Sequence, residues 1–211
     1  MSSFWDTSWA TIDPVRMMKY VDSIDMGADD FISILRENDV RSVCDAGCGC
    51  GIYALKLAAN GFCVHGFDVS HHAVAIAQRM LDNAGYTADL KTASILSTEY
   101  ETNQFDCVLS RDVLDHMCKA DAVKAVRELW RITKAGGIIL LTLDSLDDEY
   151  CSEPHTVNTD GDYVYTAGKW LGMVFHPYTQ QELQEILPAD APYETKEQHG
   201  ELTVLIRKTT S

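Results

Sequence analysis

The sequence predicts an α/β protein with a doubly wound, mainly parallel sheet of seven strands and an antiparallel hairpin at its C-terminal end. Between residues 41 and 144, short apolar runs alternate with segments of helical periodicity, which is typical of βαβ units. A length of 211 residues fits one domain, and 46% hydrophobic with 23% charged residues is ordinary for a globular protein. We expect helices on both faces of the sheet.

The order of the elements follows from these runs. A strand is predicted where an apolar run is short and bounded by a turn or an acid, and a helix where apolar residues recur at helical spacing. The strands are expected at 43–46, 62–67, 87–92, 105–110, 138–143, 193–199 and 202–207, and the helices at 52–60, 71–84, 120–133 and 179–187. The pair Gly200-Glu201 is typical of a tight hairpin, so the last two strands should be antiparallel.

The charge balance and the cysteines exclude several classes of protein. Lys and Arg number 17 against 32 Asp and Glu, a formal net charge of −15, and such a surface repels a phosphate backbone or an anionic membrane. We therefore expect neither a nucleic-acid nor a membrane partner. The N-terminal residues have no basic stretch followed by an apolar core, so we expect no signal peptide. The seven cysteines lie mostly within apolar runs. These features predict reduced thiols, no metal centre and a cytoplasmic location.

The sharpest feature is the segment Val-Cys-Asp-Ala-Gly-Cys-Gly-Cys-Gly at the end of the first strand. Its glycines, Gly47, Gly49 and Gly51, let the backbone approach a ligand where a β-carbon would clash. The turn leads into a helix N-terminus, which favours a carboxylate or a phosphate. A dinucleotide fingerprint would have its third glycine where Ile52 stands, and Asp45 would repel a pyrophosphate but suit an ammonium group.

This segment resembles the first motif of the class I S-adenosylmethionine-dependent methyltransferases, which reads hydrophobic-hydrophobic-Asp-x-Gly-x-Gly-x-Gly. The resemblance covers residues 41–144 strongly and the rest of the chain loosely. It implies a Rossmann-like sheet and S-adenosyl-L-methionine as the cofactor. Carried over residue by residue, it implies cofactor contacts from Asp45, Ala46, Gly47, Cys48, Gly49 and Gly51.

The resemblance also implies how the adenosyl group is held. Asp68, at the end of the second strand, matches the acid that binds both ribose hydroxyls, and a carboxylate can accept two such charge-assisted bonds at once. Val69 follows it in the predicted site. Where the family often has an Asp after the third strand for the adenine amino group, this sequence has Ser94. The hydroxyl of Ser94 or the backbone N–H of Ile95 is expected to serve instead.

The fourth strand matches the family through its opening Phe-Asp pair, and the residues after it occupy the position that faces the methyl group. Arg111 is assigned to the cofactor site on this basis. Asp112 and His116, one helical turn apart, are the candidate catalytic residues because either side chain could accept a proton from the acceptor.

The acceptor is predicted to be a small molecule. The sequence Ser-Arg-Asp-Val after the fourth strand differs from the Asn/Asp-Pro-Pro-Tyr of enzymes that methylate bases or glutamine amides, and the double-glutamate loop of arginine methyltransferases is missing. We expect methyl transfer to an O, N or S atom by a monomer or a homodimer. Aromatic and histidine residues outside the predicted sheet are the candidate acceptor contacts: Trp5, Trp9, His155, Tyr165 and His176.

The whole chain, 1–211, is predicted to be a single methyltransferase domain. Residues 1–38 would form an N-terminal helical cap, and 41–144 the cofactor-binding core. Residues 145–177 show no clear period, and a loop of that length inside a domain is usually functional, so we expect a lid there. Residues 178–211 would supply the C-terminal helix and hairpin.

Two other functions stay open at this point. A non-catalytic protein that binds S-adenosylmethionine is one, because the usual adenine-binding acid is replaced by Ser94. A nicotinamide-dependent oxidoreductase is the other, although the glycine spacing and Asp45 disfavour it.

Overall fold

The computed structural model describes residues 2–13, 15–17, 19, 29–198 and 200–210. Its named helices are α1 (Ser2–Ala10), α2 (Asp29–Glu37), α3 (Ile52–Ala59), α4 (His71–Ala84), α5 (Lys119–Ile132), α6 (Asp148–Ser152) and α7 (Gln180–Ile186), with a 3₁₀ turn at Gly168–Trp170. Its strands are β1 (Ser42–Ala46), β2 (Cys63–Asp68), β3 (Asp89–Thr92), β4 (Phe105–Arg111), β5 (Thr133–Asp144), β6 (His155–Val157), β7 (Tyr163–Tyr165), β8 (Val174–Phe175), β9 (Tyr193–Gln198) and β10 (Glu201–Arg207).

A seven-stranded sheet carries the fold, in the order β3-β2-β1-β4-β5-β10-β9. Strands β1 to β5 pair in parallel, and β10 is antiparallel to both β5 and β9. The predicted doubly wound, mainly parallel sheet with an antiparallel C-terminal pair is therefore confirmed. The chain winds outward from β1 in one direction and from β4 in the other. The carboxyl ends of β1 and β4 thus flank the crevice where open α/β sheets bind ligands.

Helices cover both faces because alternate side chains of the central strands point to opposite sides. Val43 of β1 packs with α2 and α3, including Leu35 and Leu57. The next residue, Cys44, packs on the other face with α5, including Leu129. Val43 and Cys44 are both fully buried, which agrees with the continuous apolar run that predicted a central strand.

The segment 145–177 is more regular than its sequence indicated. It contains α6 and a small antiparallel sheet in the order β6-β7-β8. These strands are two or three residues long, too short for an alternating pattern to emerge in the sequence. Whether this segment acts as a lid stays a prediction.

The two ends of the chain agree with their predicted elements where they are described. Within 1–38, α1 and α2 are helical, and the helical prediction for residues 20–28 lies outside the described residues. The same holds for His199 in the predicted hairpin. Among the described residues, no helix combines the length and the apolar character that a bilayer span requires.

Gly51 tests whether the glycine turn is required by packing within the protein. Its φ is +83°, and a β-carbon there would lie 2.6 Å from Cβ and 2.9 Å from Cα of Ala77 on α4. We expect Gly51→Ala to lower the free energy of unfolding by about 1–2 kcal/mol for the left-handed backbone and a further ~1–3 kcal/mol for the clash. Urea unfolding followed by circular dichroism measures it.

Gly61→Ala is the matched control. Gly61 has a similar φ of +86°, but no described atom lies within 4 Å of the position that a β-carbon would take there, so only the backbone cost of about 1–2 kcal/mol should appear. Equal losses in the two variants would contradict the proposed clash between the turn and α4.

Candidate functional site

A cavity of about 680 Å³ opens at the carboxyl ends of the parallel strands, at the predicted crevice. The size is that of a small-molecule site. Most residues predicted for the site line this cavity: Trp5, Trp9, Gly47, Cys48, Gly49, Asp68, Val69, Ser94, Ile95, Arg111, Asp112 and His116. They come from α1 and from the ends of β1, β2, β3 and β4, so the parallel sheet brings distant sequence segments to one edge.

The glycine turn is anchored to β2 by its backbone. The N–H groups of Gly47 and Cys48 both donate to the carbonyl oxygen of Phe67, at 2.8 and 2.9 Å. Each of the three glycines has a positive φ, +83°, +50° and +83° in order. A β-carbon added to Gly49 would lie 3.1 Å from the ring of Trp9, which also lines the cavity. The turn therefore combines a protein packing requirement with a close approach to the cavity.

Asp68 is held in place with acceptor capacity to spare. One carboxylate oxygen accepts the N–H of Gly49 at 2.9 Å and the other accepts the N–H of Ser70 at 2.8 Å. Burial raises its pKa above the ordinary value, and these two hydrogen bonds act in the opposite direction. Because each carboxylate oxygen has a second lone pair, Asp68 can accept two further bonds from hydroxyl donors in the cavity.

Asp45 lies in the first strand just before the turn, and it does not line the cavity. It is 2% exposed, its Oδ2 has no hydrogen-bond partner among the described residues, and the backbone N–H of Ala54 donates to the carboxylate. Burial, reinforced by the charge of Asp68, raises the pKa of Asp45 to about 7. A cationic group in the cavity would favour the ionised form of Asp45.

Asp112 and Arg111 are fixed at the end of β4. Asp112 adopts a φ of +52°, and its Oδ1 accepts the hydroxyl of Thr142 at 2.6 Å. The guanidinium of Arg111 is paired with the carboxylate of Glu201 and lies 4.5 Å from the ring centre of Tyr53. The positive charge of Arg111 on the cavity wall is thus largely neutralised by Glu201.

His116 faces the cavity beside an aromatic wall. Its ring lies 5.0 Å from Trp5 in an edge-to-face arrangement, and its buried Nδ1 has no hydrogen-bond partner among the described residues. Burial lowers the pKa of His116 to about 4, although the charge of Asp112 acts in the opposite direction. The imidazole is therefore neutral near pH 7 and has a lone pair available.

Comparisons with known proteins agree with this geometry. A family model described as a methyltransferase domain matches residues 43–137. A ubiquinone biosynthesis O-methyltransferase of Nitrosomonas europaea is 29% identical over 133 residues, or 62% of this chain and 51% of that protein. The phosphoethanolamine N-methyltransferase 3 of Arabidopsis thaliana is 28% identical over 132 residues, or 62% of this chain and 25% of that protein. The match spans about half, or less, of these curated relatives.

A solved structure, a SAM-dependent methyltransferase from Methanosarcina mazei, shares the fold with a TM-score of 0.71 at 19% identity, over 84% of this chain and 98% of that chain. Residues 43–137 thus match the methyltransferase-domain family model, and the fold is that of a SAM-dependent methyltransferase. The resemblance noted in the sequence is thereby confirmed. In this methyltransferase domain the glycine turn and Asp68 stand at the positions that the first-strand and second-strand motifs predicted.

Three predicted acceptor contacts lie away from the cavity of the methyltransferase domain. The ring of His155 lies beside that of Tyr163 in the small sheet, tilted by 36° and with 4.8 Å between ring centres. Tyr165 is 1% exposed, and His176, also 1% exposed, pairs with Asp162 at 2.8 Å. None of the three predicted residues lines the cavity, because their rings are used in packing the segment 145–177. The structure does not support a ligand contact for them there.

Three further residues predicted to contact the cofactor do not line the cavity: Asp45, Ala46 and Gly51. Conversely, Tyr53 and Asp121 line the cavity and were not predicted. Tyr53 is the second residue of the helix that follows the glycine turn, and Asp121 lies in the first turn of the helix after β4. Their places at helix N-termini on the carboxyl edge of the sheet were the signal that could have identified them.

The buried carboxyl group of Asp45 predicts a dependence of stability on pH. Its folded pKa of about 7 exceeds the value of 3.8 expected for an unfolded chain, so the folded state retains a proton that the unfolded state has lost. Raising the pH from about 4 to about 7 therefore weakens the folded state. Asp45→Asn removes this loss, and the stability advantage of the variant should grow by more than about 1 kcal/mol over that range.

Urea unfolding of both proteins at several pH values, without ligand, measures the effect. Asp160→Asn is the control, because Asp160 is exposed in the turn between β6 and β7, and its difference from the wild type should change little with pH. A constant difference for Asp45→Asn across the range would show that Asp45 is ionised in the folded state at all these pH values.

Proposed function

We propose that the protein transfers a methyl group from S-adenosylmethionine to an O, N or S atom of a small-molecule acceptor. The observation that carries the proposal is that one cavity is lined both by the glycine turn and Asp68 and by Asp112, His116 and Trp5. One cavity thus contains a carboxylate that can accept hydroxyl groups and an imidazole that can accept a proton.

The residues of the cofactor half fit the adenosyl amino acid. Asp68 lines the cavity and has lone pairs left for the ribose hydroxyls, and Gly49 lines it without a β-carbon. Ser94 and Ile95 line the wall where the adenine is expected. The carboxyl groups of Asp45 and Asp68 give this half a negative potential that suits a cofactor with ammonium and sulfonium charges.

When bound, S-adenosylmethionine supplies an activated methyl group on a positively charged sulfur. The protein then has to align the acceptor, exclude water and, for a protonated acceptor, remove a proton. Alignment alone supplies about 7–11 kcal/mol. Trp5 and Trp9 cover the cavity from α1, and the neutral imidazole of His116, which also lines the cavity, can accept a proton.

The size and lining of the cavity support a small-molecule acceptor. The curated relatives include an O-methyltransferase and an N-methyltransferase, so the acceptor atom differs among similar proteins. Both of these relatives are named for small molecules. The enclosing aromatic rings of Trp5 and Trp9 fit a planar or cationic acceptor better than an extended polymer.

Asp68→Ala tests the cofactor site. We expect the dissociation constant of S-adenosylhomocysteine, measured by calorimetry, to rise by about ten-fold to a hundred-fold, equivalent to a loss of ~1.5–3 kcal/mol from the charged hydrogen bonds. Asp89→Ala removes an exposed carboxylate from the next strand at the opposite edge of the sheet and should bind as the wild type does. If folded Asp68→Ala protein binds with unchanged affinity, Asp68 is not in the site.

His116→Gln tests the acceptor half. With a panel of phenols, amines and thiols, we expect the release of S-adenosylhomocysteine by the wild type and a kcat at least about a hundred times lower for the variant, as for loss of a general base. Affinity for S-adenosylhomocysteine should change little, because His116 lies on the opposite side of the cavity from Asp68.

The pattern of results separates the possible functions. Tight binding of S-adenosylhomocysteine without turnover on any acceptor would favour a non-catalytic cofactor-binding protein. An equal kcat for the wild type and His116→Gln would exclude His116 as the proton acceptor.

A further inference from the structure

A cluster of potential metal ligands joins helix α1 to the start of α4. Asp6 of α1 and the first two residues of α4, His71 and His72, each place one ligand atom within 4.8 Å of the other two. None of the three lines the main cavity. Trp9 of α1 packs in one cluster with Ile76 of α4, so the packing of the two helices holds the carboxylate against the two imidazoles.

The distances between these atoms are close to those of a tetrahedral metal site. Oδ1 of Asp6 lies 3.0 Å from Nδ1 of His71 and 3.2 Å from Nδ1 of His72. Two ligand atoms that are each ~2.0–2.1 Å from a tetrahedral zinc ion lie about 3.3 Å apart. Small side-chain shifts therefore admit an ion between the three atoms.

The carboxylate oxygen at the centre of the cluster has too many polar neighbours for hydrogen bonding alone. Oδ1 of Asp6 accepts the hydroxyl of Ser70 at 2.8 Å and also faces both ring nitrogens. If both nitrogens are protonated, three donors share the two lone pairs of one oxygen, and a nitrogen without a proton opposes the oxygen with its own lone pair. A cation bound to the two nitrogens and the oxygen removes this conflict.

The charges around the cluster also favour a cation. The hydrogen bond from Ser70 and, to a smaller extent, that from His72 lower the pKa of Asp6, so its carboxylate is ionised near neutral pH. The charge of Asp6 acts on Asp68, a second carboxylate nearby. The N-terminus of α4 opposes a cation with the equivalent of about half a positive charge, which is less than the charge of one carboxylate.

We propose that Asp6, His71 and His72 bind one divalent transition-metal ion, with Zn²⁺ as the best fit. Two imidazole nitrogens and one carboxylate oxygen suit zinc, and three protein ligands leave a fourth position for water. The three side chains are 34%, 64% and 41% exposed, so the ion reaches them from solvent.

The site goes beyond the proposed function, because methyl transfer from a sulfonium does not itself require a metal. Asp6 precedes His72 by 66 residues, so no ligand spacing in the sequence reveals the site. For this reason the sequence predicts no metal centre, and only the packing of α1 on α4 brings the ligands together.

A metal at this position would attach α1 to the carboxyl edge of the sheet. Trp5 and Trp9, which lie before and after Asp6 in α1, line the main cavity. Ser70, which precedes the two histidines, donates its N–H to the carboxylate of Asp68. We therefore expect the bound metal to hold α1 over the cavity and to slow the release of S-adenosylhomocysteine, a consequence that rests on the proposed function.

Cobalt binding tests the metal site, because Co²⁺ is a coloured substitute for Zn²⁺. After treatment with EDTA and dialysis, the full chain is titrated with Co²⁺ and then with competing Zn²⁺, and visible absorption measures the bound cobalt. We expect one Co²⁺ per chain, displaced by Zn²⁺, without the near-ultraviolet charge-transfer band of a thiolate ligand. The band is the check on Cys63 and Cys151, which are exposed free thiols.

Variants assign the site to its ligands. His71→Gln and His72→Gln each remove one ligand, and we expect Co²⁺ binding at least about tenfold weaker in both. Ser70→Ala is the matched control, because it breaks a hydrogen bond to the same carboxylate but removes no ligand, so its affinity should stay near that of the wild type. His65→Gln removes an imidazole beside another carboxylate, that of Asp89, and should leave binding unchanged.

Unfolding in urea separates loss of the site from loss of the fold. The midpoint of each variant without metal shows whether it is folded. Zn²⁺ should raise the midpoint of the wild type more than that of His72→Gln, because an ion that binds only the folded state stabilises it.

Four results would overturn the proposal. They are no binding by the wild type at millimolar Co²⁺, a thiolate band that accounts for the whole signal, equal weakening in Ser70→Ala and His71→Gln, and loss of binding in His65→Gln.

The dissociation rate of S-adenosylhomocysteine, measured with and without Zn²⁺, tests the closure of α1. A slower rate with Zn²⁺ in the wild type but not in His71→Gln would support closure, and equal rates in the wild type would exclude it. Failure of S-adenosylhomocysteine to bind without metal would count against the proposed function, whereas the cobalt result would stand or fail by itself.

Discussion

The backbone contact between the glycine turn and β2 is the constraint on which the site depends. The carbonyl of Phe67 accepts two consecutive N–H groups of the turn, and the adjacent carboxylate of Asp68 accepts a third from Gly49. The end of β2 thereby fixes the glycine turn that follows β1. Because the three glycines all have positive φ, the turn can satisfy these donors and still lie against α4 and the cavity.

Helix α1 extends this arrangement outward. Trp9 lies over Gly49, and Asp6 accepts the hydroxyl of Ser70, the residue that caps α4. Trp9 also packs beside Cys50, Ile76 and Met80. The helix that covers the cavity is therefore attached to the same turn and the same carboxyl edge that form the floor, so closure of the cavity and the geometry of the turn are physically coupled.

The interior charge distribution gives the site its chemical preference. Asp68 and Asp112 line the cavity, and the charges of these two residues act on the buried Asp45 and Asp115, respectively. The guanidinium of Arg111, also on the cavity wall, is paired with Glu201. Burial makes each uncompensated carboxylate costly, as the raised pKa values of Asp45, Asp68 and Asp115 indicate. A positively charged ligand recovers part of that cost.

The sequence by itself determined the parallel sheet and the glycine turn, because strand periodicity and turn chemistry are local properties. The expectation for Asp68 came from the resemblance to a known family. Only the tertiary structure decided that Asp144 lies beside Asp115 and that Trp5 lies beside His116. It also directed the side chains of Tyr165 and His176 into the packing of residues 145–177. Such contacts depend on how segments far apart in the sequence pack together. The hydrophobic periodicity of one segment does not reveal which other segment it packs against.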